Sequence, residues 1–509
     1  MTEIASISIG AYAGIKRLTI EDGVSVSRDR NRPNITHGIS VGDVGYNHAT
    51  VWSRADRPSR MIVEISADEY FQKVRRIEGP VVLHHSDYTG KVLLRNLRVG
   101  DPLYYRVQFQ DLDRSTRYSA PAIGNFKLAS REPRNIRFGW SGDTAGQGFG
   151  IDPSKGGMLT YATIAEQSPD FFVHCGDVCY ADNPFDSELT LDDGTVWNNL
   201  VTKETSKVAE TLWEFRANYK YNLMDDNVRQ MNANVPIFAQ WDDHETLNNW
   251  YPGQIIEDDD RYKIKSVSLL AARAKQAFFD YMPIRQSFEK QIFRKIPYGP
   301  LLDMFFLDLR SYRGPNSPNQ QKRRVPDNAY LGRPQLRWLK LQLSLSQATW
   351  KFISIDMPIG LIVRDGENFD NCANGDGPVR GREFEIAELL KFIKENNINN
   401  VVFLTADVHY AASHYYDPNK AKFTEFNPFW EFVSGPLHAG TFGPGQLDNT
   451  FGPQVRFNSV NKDMKPNRPP SEGLQFFGMV SIDAATKVAS VAHYNRAGDK
   501  LWATDLQPA

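Results

Sequence analysis

This 509-residue chain has little cysteine, no long apolar run and no marked excess of positive or negative charge. Its three cysteines, Cys175, Cys179 and Cys372, form an odd number and predict no disulfide framework. No stretch approaches the roughly 18 uninterrupted apolar residues of a membrane-spanning helix, so we expect no membrane span. The net charge of −2 lacks the basic excess of nucleic-acid-binding proteins, and we expect no nucleic-acid partner.

The pair Cys175 and Cys179 brackets an aspartate, Asp177, which leaves two interpretations open. The two thiols could be soft metal ligands. However, Cys-x-x-x-Cys without a second pair is a poor zinc signature. The spacing therefore favours small, buried, apolar cysteines.

The length predicts two domains, or one large domain with an appendage, because it exceeds one ordinary core. Residues 1–134 are expected to be β-rich, with short β-branched or aromatic runs at 49–52, 61–65, 81–84, 91–94 and 103–109. Turn residues separate these runs, and a small β-sandwich fits that spacing. A polar joint at 130–134 precedes the second expected domain, residues 135–509, where strands alternate with helices as in an α/β sheet.

Apolar spacing in this second part predicts helices over residues 266–281, 334–345 and 383–396. Long segments rich in Pro, Asn, Gly and Asp cover 183–199, 314–328 and 443–470, and we expect them to be binding loops. Residues 478–482 and 487–491 predict a closing hairpin.

The most informative feature is a strand-like apolar run that ends in an aspartate, which occurs five times. The runs are 136–140 before Asp143, 171–174 before Asp177, 237–239 before Asp243, 352–355 before Asp356, and 401–405 before Asp407 and His409. One such junction means little, since aspartate often caps a helix or starts a turn. Five carboxylates at strand ends would repel one another unless cations lay between them, so the pattern predicts a metal site.

Several motifs give this pattern a family resemblance. They are Gly176-Asp-x-x-Tyr180, Trp241-Asp-Asp-His-Glu-x-x-Asn-Asn-Trp250, Leu307-Asp-Leu-Arg-Ser-Tyr-Arg313, Ala406-Asp-Val-His409 and Val433-Ser-Gly-Pro436. Together they resemble the alkaline phosphatase D (PhoD-type) branch of the calcineurin-like metallophosphoesterases, with purple acid phosphatases as more distant relatives. The resemblance implies an α/β fold, a four-layer αββα metallophosphatase sandwich preceded by a small fibronectin-like β-sandwich domain.

The purple acid phosphatase pattern also implies metal ligands. The ferric-ion roles fall on Asp143, Asp177, Tyr180 and His409, with Asp177 bridging to a second ion. The second-ion roles fall on Asp177, Asp243, Asp356 and Asp407, and this chain has aspartate where those relatives have Asn and two His.

The departure from Asn and His indicates the kind of second ion. Carboxylate oxygens suit calcium or magnesium better than zinc, whereas tyrosinate with carboxylates and an imidazole suits Fe³⁺. We therefore expect Fe³⁺ and Ca²⁺, with Mg²⁺ or another divalent ion as an alternative at the second site.

The resemblance implies a metal-dependent phosphoric ester hydrolase in which a metal-bound hydroxide attacks phosphorus. His244, beside Asp243, would then protonate the leaving group. Asn248 and Arg310 could bind the substrate phosphate, although Asn248 could equally cap a turn and Arg310 could belong to a structural Arg–Asp pair.

Three functions remain open from the sequence. The first is an alkaline phosphatase or phosphodiesterase acting on small phosphate esters. The second is a diesterase for phospholipids or teichoic-acid-like polymers, and the third is a non-catalytic, calcium-stabilised binding protein. PhoD-type enzymes are usually secreted or periplasmic, but residues 1–14 lack a basic start followed by an apolar core, so a cytoplasmic location also stays open.

Overall fold

The computed structural model of the chain describes residues 31–98, 102–285 and 290–509. Residues 1–14, where no export signal was found, lie outside these ranges. Six α-helices form within the described residues: α1 (Leu159–Glu166), α2 (Leu212–Asn222), α3 (Asp226–Asn234), α4 (Val267–Tyr281), α5 (Arg333–Ser344) and α6 (Glu383–Glu395).

The same residues form 24 strands. In chain order they are β1 (Ile35–Gly42), β2 (Ala49–Ala55), β3 (Ser59–Ser66), β4 (Arg75–Val82), β5 (Thr89–Leu94), β6 (Leu103–Asp111), β7 (Ala122–Phe126), β8 (Ile136–Ser141), β9 (Phe171–His174), β10 (Glu188–Thr190), β11 (Val196–Asn198), β12 (Ile237–Ala239), β13 (Arg294–Pro297), β14 (Leu302–Phe306), β15 (Trp350–Ser354), β16 (Arg364–Asp365), β17 (Asn368–Phe369), β18 (Val401–Thr405), β19 (Ala412–Tyr416), β20 (Phe429–Val433), β21 (Pro453–Asn458), β22 (Phe476–Ile482), β23 (Ala489–Asn495) and β24 (Lys500–Leu506).

Two large sheets organise the molecule. The first has nine strands in the order β24-β23-β22-β8-β9-β12-β1-β2-β5, and the second has seven in the order β13-β14-β15-β18-β20-β19-β21. Their centres are parallel, since β8, β9 and β12 pair in parallel in the first sheet and β14, β15, β18 and β20 in the second. The central strands are buried on both faces, as expected for sheets covered on both sides.

Apolar side chains between the layers show that the sheets lie face to face with helices outside. Phe138 and Phe171 of the nine-stranded sheet share one core with Phe352 of the seven-stranded sheet. A second core joins α1 to α4 to the outer face of the nine-stranded sheet. A third joins α5 and α6 to the outer face of the seven-stranded sheet. The expected four-layer αββα sandwich is therefore confirmed.

The N-terminal strands are divided between two sheets. β3, β4, β6 and β7 form a separate four-stranded sheet in the order β4-β3-β6-β7, whereas β1, β2 and β5 extend the nine-stranded sheet. Gly42 of β1 pairs with Ile237 of β12, and any side chain at Gly42 would collide with the Ile237 carbonyl. The proposed boundary at residue 134 thus falls between β7 and β8, with backbone pairing across it.

Three predicted helices are confirmed to within two residues at each end, as α4, α5 and α6. The closing hairpin is confirmed as β22 and β23, and β24 adds one more strand. The sequence did not predict α1, α2 or α3. Among the described residues, every helix is too short or too polar to cross a bilayer.

Candidate metal centre

The five predicted strand-to-aspartate junctions all lie at carboxyl ends of central strands. β8, β9 and β12 carry Asp143, Asp177 and Asp243 in the nine-stranded sheet. β15 and β18 carry Asp356 and Asp407 in the seven-stranded sheet. Since the strands within each sheet are parallel and adjacent, their ends meet at one edge of the sandwich.

One group of ligand atoms joins the two sheets. Oxygen atoms of Asp143 and Asp177 and a ring nitrogen of His409 lie within 4.8 Å of one another. The hydroxyl of Tyr180 lies 2.8 Å from His409 Nε2, while His409 Nδ1 lies 2.5 Å from the carbonyl of Gly440. Burial lowers the pKa of His409 to about 4, so the ring is neutral. Because Nδ1–H donates to the Gly440 carbonyl, Nε2 is the unprotonated nitrogen that can bind a metal.

A second group shares Asp177 with the first. It comprises Asp177, Asp243 and His244, whose ligand atoms also lie within 4.8 Å of one another. All three side chains are buried. A carboxylate common to two neighbouring groups has the geometry of a bridging ligand.

Asp356 and Asp407 lie beside these groups without belonging to either. Asp356 is fully buried, and its Oδ2 lies 3.7 Å from Nε of Arg310. Burial, followed by repulsion from Asp242, raises the pKa of both Asp356 and Asp407 well above the ordinary value. The same two causes raise the pKa of Asp143.

Several of these buried carboxylate oxygens have no hydrogen-bond partner among the described residues. They are both oxygens of Asp143, both oxygens of Asp356 and Oδ1 of Asp243. Buried polar atoms are normally satisfied, so unpartnered carboxylate oxygens at one point fit cations as their missing partners. The donor set therefore fits a centre for metal ions.

The backbone at the ligands is unusual. Asp143, Asp177, Asp407 and His409 have φ values of 66°, 51°, 66° and 59°, in the left-handed region that non-glycine residues seldom adopt. Such conformations concentrate at functional sites, where surrounding structure holds them. Asp407 and His409 are thus oriented by turns that follow the end of β18.

His244 is fixed from three directions. Its Nδ1 lies 2.8 Å from Oδ1 of Asp182, its backbone N–H donates to Oδ1 of Asp177 at 3.1 Å, and its ring stacks on Tyr180 at 4.2 Å. Burial would lower the pKa of His244, but Asp182 and Asp243 outweigh it and raise the pKa to about 10. In the protonated ring Nε2 carries the other proton, so it is the nitrogen that can donate to a substrate.

The two expected substrate-binding residues lie in different environments. The Asn248 side chain is exposed, and its backbone N–H donates to Oδ2 of Asp182 at 2.8 Å. Its neighbour Asn249 donates its backbone N–H to Oδ2 of Asp243 at 2.5 Å. Asn248 is therefore available to a ligand, whereas Asn249 is tied to the carboxylate cluster.

Arg310, in contrast, is fully buried. Its guanidinium donates to Asp242 at 2.7 Å and to Asp370 at 2.9 to 3.0 Å, and it lies 3.8 Å from Oδ2 of Asp243. This geometry matches the structural Arg–Asp alternative, with Asp242 and Asp370 as the acidic partners. The carboxylate of Asp308, two residues before Arg310, accepts Nε1–H of Trp241.

The sequence did not predict a functional role for three acidic residues of this region, Asp182, Asp242 and Asp370. Asp242 belongs to the quoted Trp-Asp-Asp-His-Glu motif, so its motif position was a usable signal. Asp182 lies five residues after Asp177, and Asp370 follows the short strand β17. Neither position follows a long apolar run, so no local pattern marked them.

Three further histidines and all three cysteines are buried within the protein. His174 contacts the Thr144 hydroxyl at 3.0 Å, His414 contacts Glu431 at 3.0 Å, and His438 contacts the Gly150 carbonyl at 2.9 Å. All three cysteines are free and buried, in agreement with the apolar interpretation. Gly146 makes room for the ring of Tyr180, which any side chain at that position would strike.

A four-layer αββα sandwich with a carboxylate-rich centre at its strand ends defines a metallophosphoesterase-type protein. The chain belongs to the PhoD-like phosphatase family, whose model matches residues 138–493. A model of the PhoD-like phosphatase N-terminal domain matches residues 21–130. The protein is accordingly a phosphatase and a hydrolase, and the expected family is confirmed.

Individual relatives agree with this assignment. The chain is 26% identical over 484 residues to alkaline phosphatase D of Bacillus subtilis (strain 168), covering 88% of this chain and 76% of that protein. A solved structure of PhoD has a TM-score of 0.69 at 19% identity and covers 93% of both chains. The purple acid phosphatase PPD1 of yellow lupin (Lupinus luteus) has a TM-score of 0.57 at 12% identity, covering 94% of this chain and 75% of that one. Both structures share the fold.

Proposed function

We propose that this phosphatase hydrolyses small phosphate esters at a centre of Fe³⁺ and a divalent ion, with Ca²⁺ as the second ion. The observation that carries the proposal is the meeting of ligand groups from both sheets around Asp177. Asp143, Tyr180 and His409 would join Asp177 at the first ion, and Asp243, Asp356 and Asp407 would join it at the second.

The chemistry of the donors supports this division. The donors proposed for the first ion include a phenol and an imidazole in addition to carboxylates, a set suited to a small, highly charged ion such as Fe³⁺. The donors proposed for the second ion are carboxylates alone, which suit a hard and flexible ion such as Ca²⁺. When bound, the ions would activate water and neutralise charge that develops on the phosphoryl oxygens.

The chain itself would supply the proton for the leaving group. Nδ1 of His244 is held by Asp182, so the opposite nitrogen, Nε2, is the one that can donate. Asn248, exposed beside them, would donate its side-chain amide to the substrate phosphate. Arg310 would hold Asp242 and Asp370 in place through its ion pairs and would not contact the substrate.

Hydrolysis of p-nitrophenyl phosphate and of bis(p-nitrophenyl) phosphate, with and without chelator, tests the activity. We expect at least one ester to be cleaved, the chelator to abolish cleavage, and metal to restore it. Asp177→Asn should abolish cleavage because it weakens a ligand common to both ions. An inactive, metal-loaded protein would contradict the catalytic proposal and favour a calcium-stabilised binding protein.

Elemental analysis with a visible spectrum tests the metals. Tyrosinate bound to Fe³⁺ should give a coloured protein, and Tyr180→Phe should lose that colour. A colourless parent protein that contains only divalent ions would contradict the iron assignment while leaving hydrolysis intact.

A further inference from the structure

The outer side of α5 carries a stripe of cations followed by a stripe of leucines. Arg333, Arg337, Leu341 and Leu345 follow one another at steps of four residues, which places them along one side of the helix and its C-terminal cap. The arginines are exposed, and Leu341 and Leu345 are 55% and 60% exposed. The opposite side of the helix packs into the core through Leu336, Leu339 and Leu343.

Positive charge is concentrated in and just before this helix. Residues 322–345 contain six cations, Lys322, Arg323, Arg324, Arg333, Arg337 and Lys340, against one acid, Asp327. The whole chain has a net charge of −2, so this segment differs in sign from the molecule as a whole. The excess remains positive when Glu385 and Glu388 of α6, which pair with cations of the segment, are included. A local excess of this kind attracts anionic partners.

A cavity of about 310 Å³ opens among these cations. It is lined by Arg324, Arg333, Leu336, Arg337, Lys340 and Glu388. Glu388 pairs with Lys340 at 2.9 Å and with Arg324, which also pairs with Glu385 at 2.6 Å. Across the described parts of the chain no carboxylate pairs with Arg333 or Arg337. Two guanidinium groups at one opening thus lack an anion.

We propose that this face of α5 docks on an anionic lipid bilayer, with a headgroup phosphate at Arg333 and Arg337 and with Leu341 and Leu345 at the acyl boundary. Guanidinium groups bind phosphate oxygens in a bidentate manner. Helices that lie at membrane interfaces combine basic residues with exposed leucines in this way. A soluble polyanion would bind the arginines, but the leucines would add no binding free energy because they would stay exposed to water.

The docking surface does not depend on the proposed function of the metal centre. Arg333, Arg337, Leu341 and Leu345 belong to none of the ligand groups described above. Their substitution should therefore leave the hydrolysis of a soluble ester unchanged, and that measurement also reports that each variant is folded.

Vesicle sedimentation tests the proposal on the full chain. We expect binding to vesicles that contain phosphatidylglycerol, little binding to vesicles of phosphatidylcholine alone, and a decline with added salt. Each cation near an anionic surface strengthens partition about five-fold, so Arg333→Gln with Arg337→Gln should weaken it about 25-fold. Removing two exposed cations elsewhere, by Lys73→Gln with Arg114→Gln, is the matched control and should have little effect.

The leucines distinguish a membrane from a soluble polyanion. Leu341→Gln with Leu345→Gln should weaken binding to vesicles but leave binding to soluble polyphosphate unchanged. Equal binding to both vesicle types would overturn the proposal, as would an arginine pair that binds like the parent. If the leucine pair binds vesicles like the parent, the face recognises polyanions and membrane docking is again overturned.

Discussion

At the scale of single residues, Asp182 holds one ring nitrogen of His244 at the candidate metal centre. Its two carboxylate oxygens bind Nδ1 of His244 and the backbone N–H of Asn248, each at 2.8 Å. Asp182→Asn keeps the volume but offers His244 a neutral partner. We expect hydrolysis of alkyl phosphate esters to slow about 10- to 100-fold, the usual effect of removing a carboxylate that orients a histidine.

The dependence on leaving group separates this role from a general loss of structure. Esters of strongly acidic phenols need no proton for departure, so Asp182→Asn should slow them much less than alkyl esters. His244→Ala should give the same pattern with a larger effect. A loss of equal size across a series of leaving groups, measured as kcat, would contradict the role of Asp182.

Arg310 gives a second prediction at this scale, because it is a fully buried cation between Asp242 and Asp370. Arg310→Met would leave Asp242 buried without its cation, whereas Asp370 would keep Arg313 at 3.0 Å. Removing one partner of a buried ion pair typically costs about 3 to 5 kcal/mol of unfolding free energy. Arg310→Lys keeps the charge but lacks the planar fork, so we expect an intermediate loss. Urea unfolding measures both.

Arg337→Met is the matched control for Arg310, since its guanidinium is exposed and pairs with no carboxylate of the described chain. Exposed substitutions usually change stability by less than about 0.5 kcal/mol. Similar losses for Arg310→Met and Arg337→Met would show that the buried network contributes little.

Residue by residue, the sequence predicted those site members that follow an apolar strand. Asp143, Asp177, Asp243 and His409 meet as expected, because parallel strands bring their ends together. Contacts such as that of Asp182 with His244 join a loop residue to another loop, and only the folded chain specifies them.

At the scale of elements, helices were predictable where one face is apolar and the other polar. α5 and α6 have this pattern, with leucines and isoleucines buried. In α2 the buried face includes Arg216, Asn218 and Asn222. Arg216 is neutralised by Asp280 at 2.7 Å, a partner that lies 64 residues away. Because buried polar residues with distant partners interrupt the apolar spacing of this helix, the sequence did not predict α2.

The first turn of α6 carries a carboxyl group that should make stability depend on pH. Burial, followed by the nearby carboxylate of Asp448, raises the pKa of Glu383 from 4.5 to about 8. The folded state therefore keeps a proton that the unfolded state releases. Between about pH 4.5 and 8 this group should lower stability by about 1.4 kcal/mol per pH unit as the pH rises.

Glu383→Gln should remove this contribution while still accepting the backbone N–H of Arg380, which Glu383 binds at 2.8 Å. Unfolding free energies measured by urea across that pH range should decline less steeply for the variant than for the parent. Two curves with the same slope would show that Glu383 is ionised in the folded protein.

At the scale of the whole molecule, local sequence patterns could not predict how the two sheets are arranged. Asp356 and Asp407 come from the seven-stranded sheet, and Asp143, Asp177 and Asp243 from the nine-stranded one. Pairing between strands far apart in sequence leaves no local trace. The expectation of four layers therefore rested on the family resemblance rather than on composition or periodicity.

Removal of metal should destabilise the whole fold. Without cations, the buried carboxylates at the joint edge of the two sheets repel one another across the sandwich. An ion present at 100 times its dissociation constant stabilises a protein by about 2.7 kcal/mol. We expect chelation to lower the Tm by several degrees in differential scanning calorimetry.

Two variants define this experiment. Asp177→Asn should reduce the difference in Tm between the loaded and the chelated protein, because it removes the shared carboxylate. Asp192→Asn, at an exposed residue outside the ligand groups, should keep the full difference. A chelated parent as stable as the loaded one would show that the carboxylates do not depend on ions for their burial.

The placement of β1 between β12 and β2 bears on how this protein can be dissected. A truncated version starting near residue 135 would keep the ligands but lose the strand that covers β12. The uncovered backbone amides and carbonyls of β12 would then be free to recruit a strand from a neighbouring copy. Such a fragment should self-associate. By covering the edge of β12, the N-terminal region would protect the intact protein from aggregation.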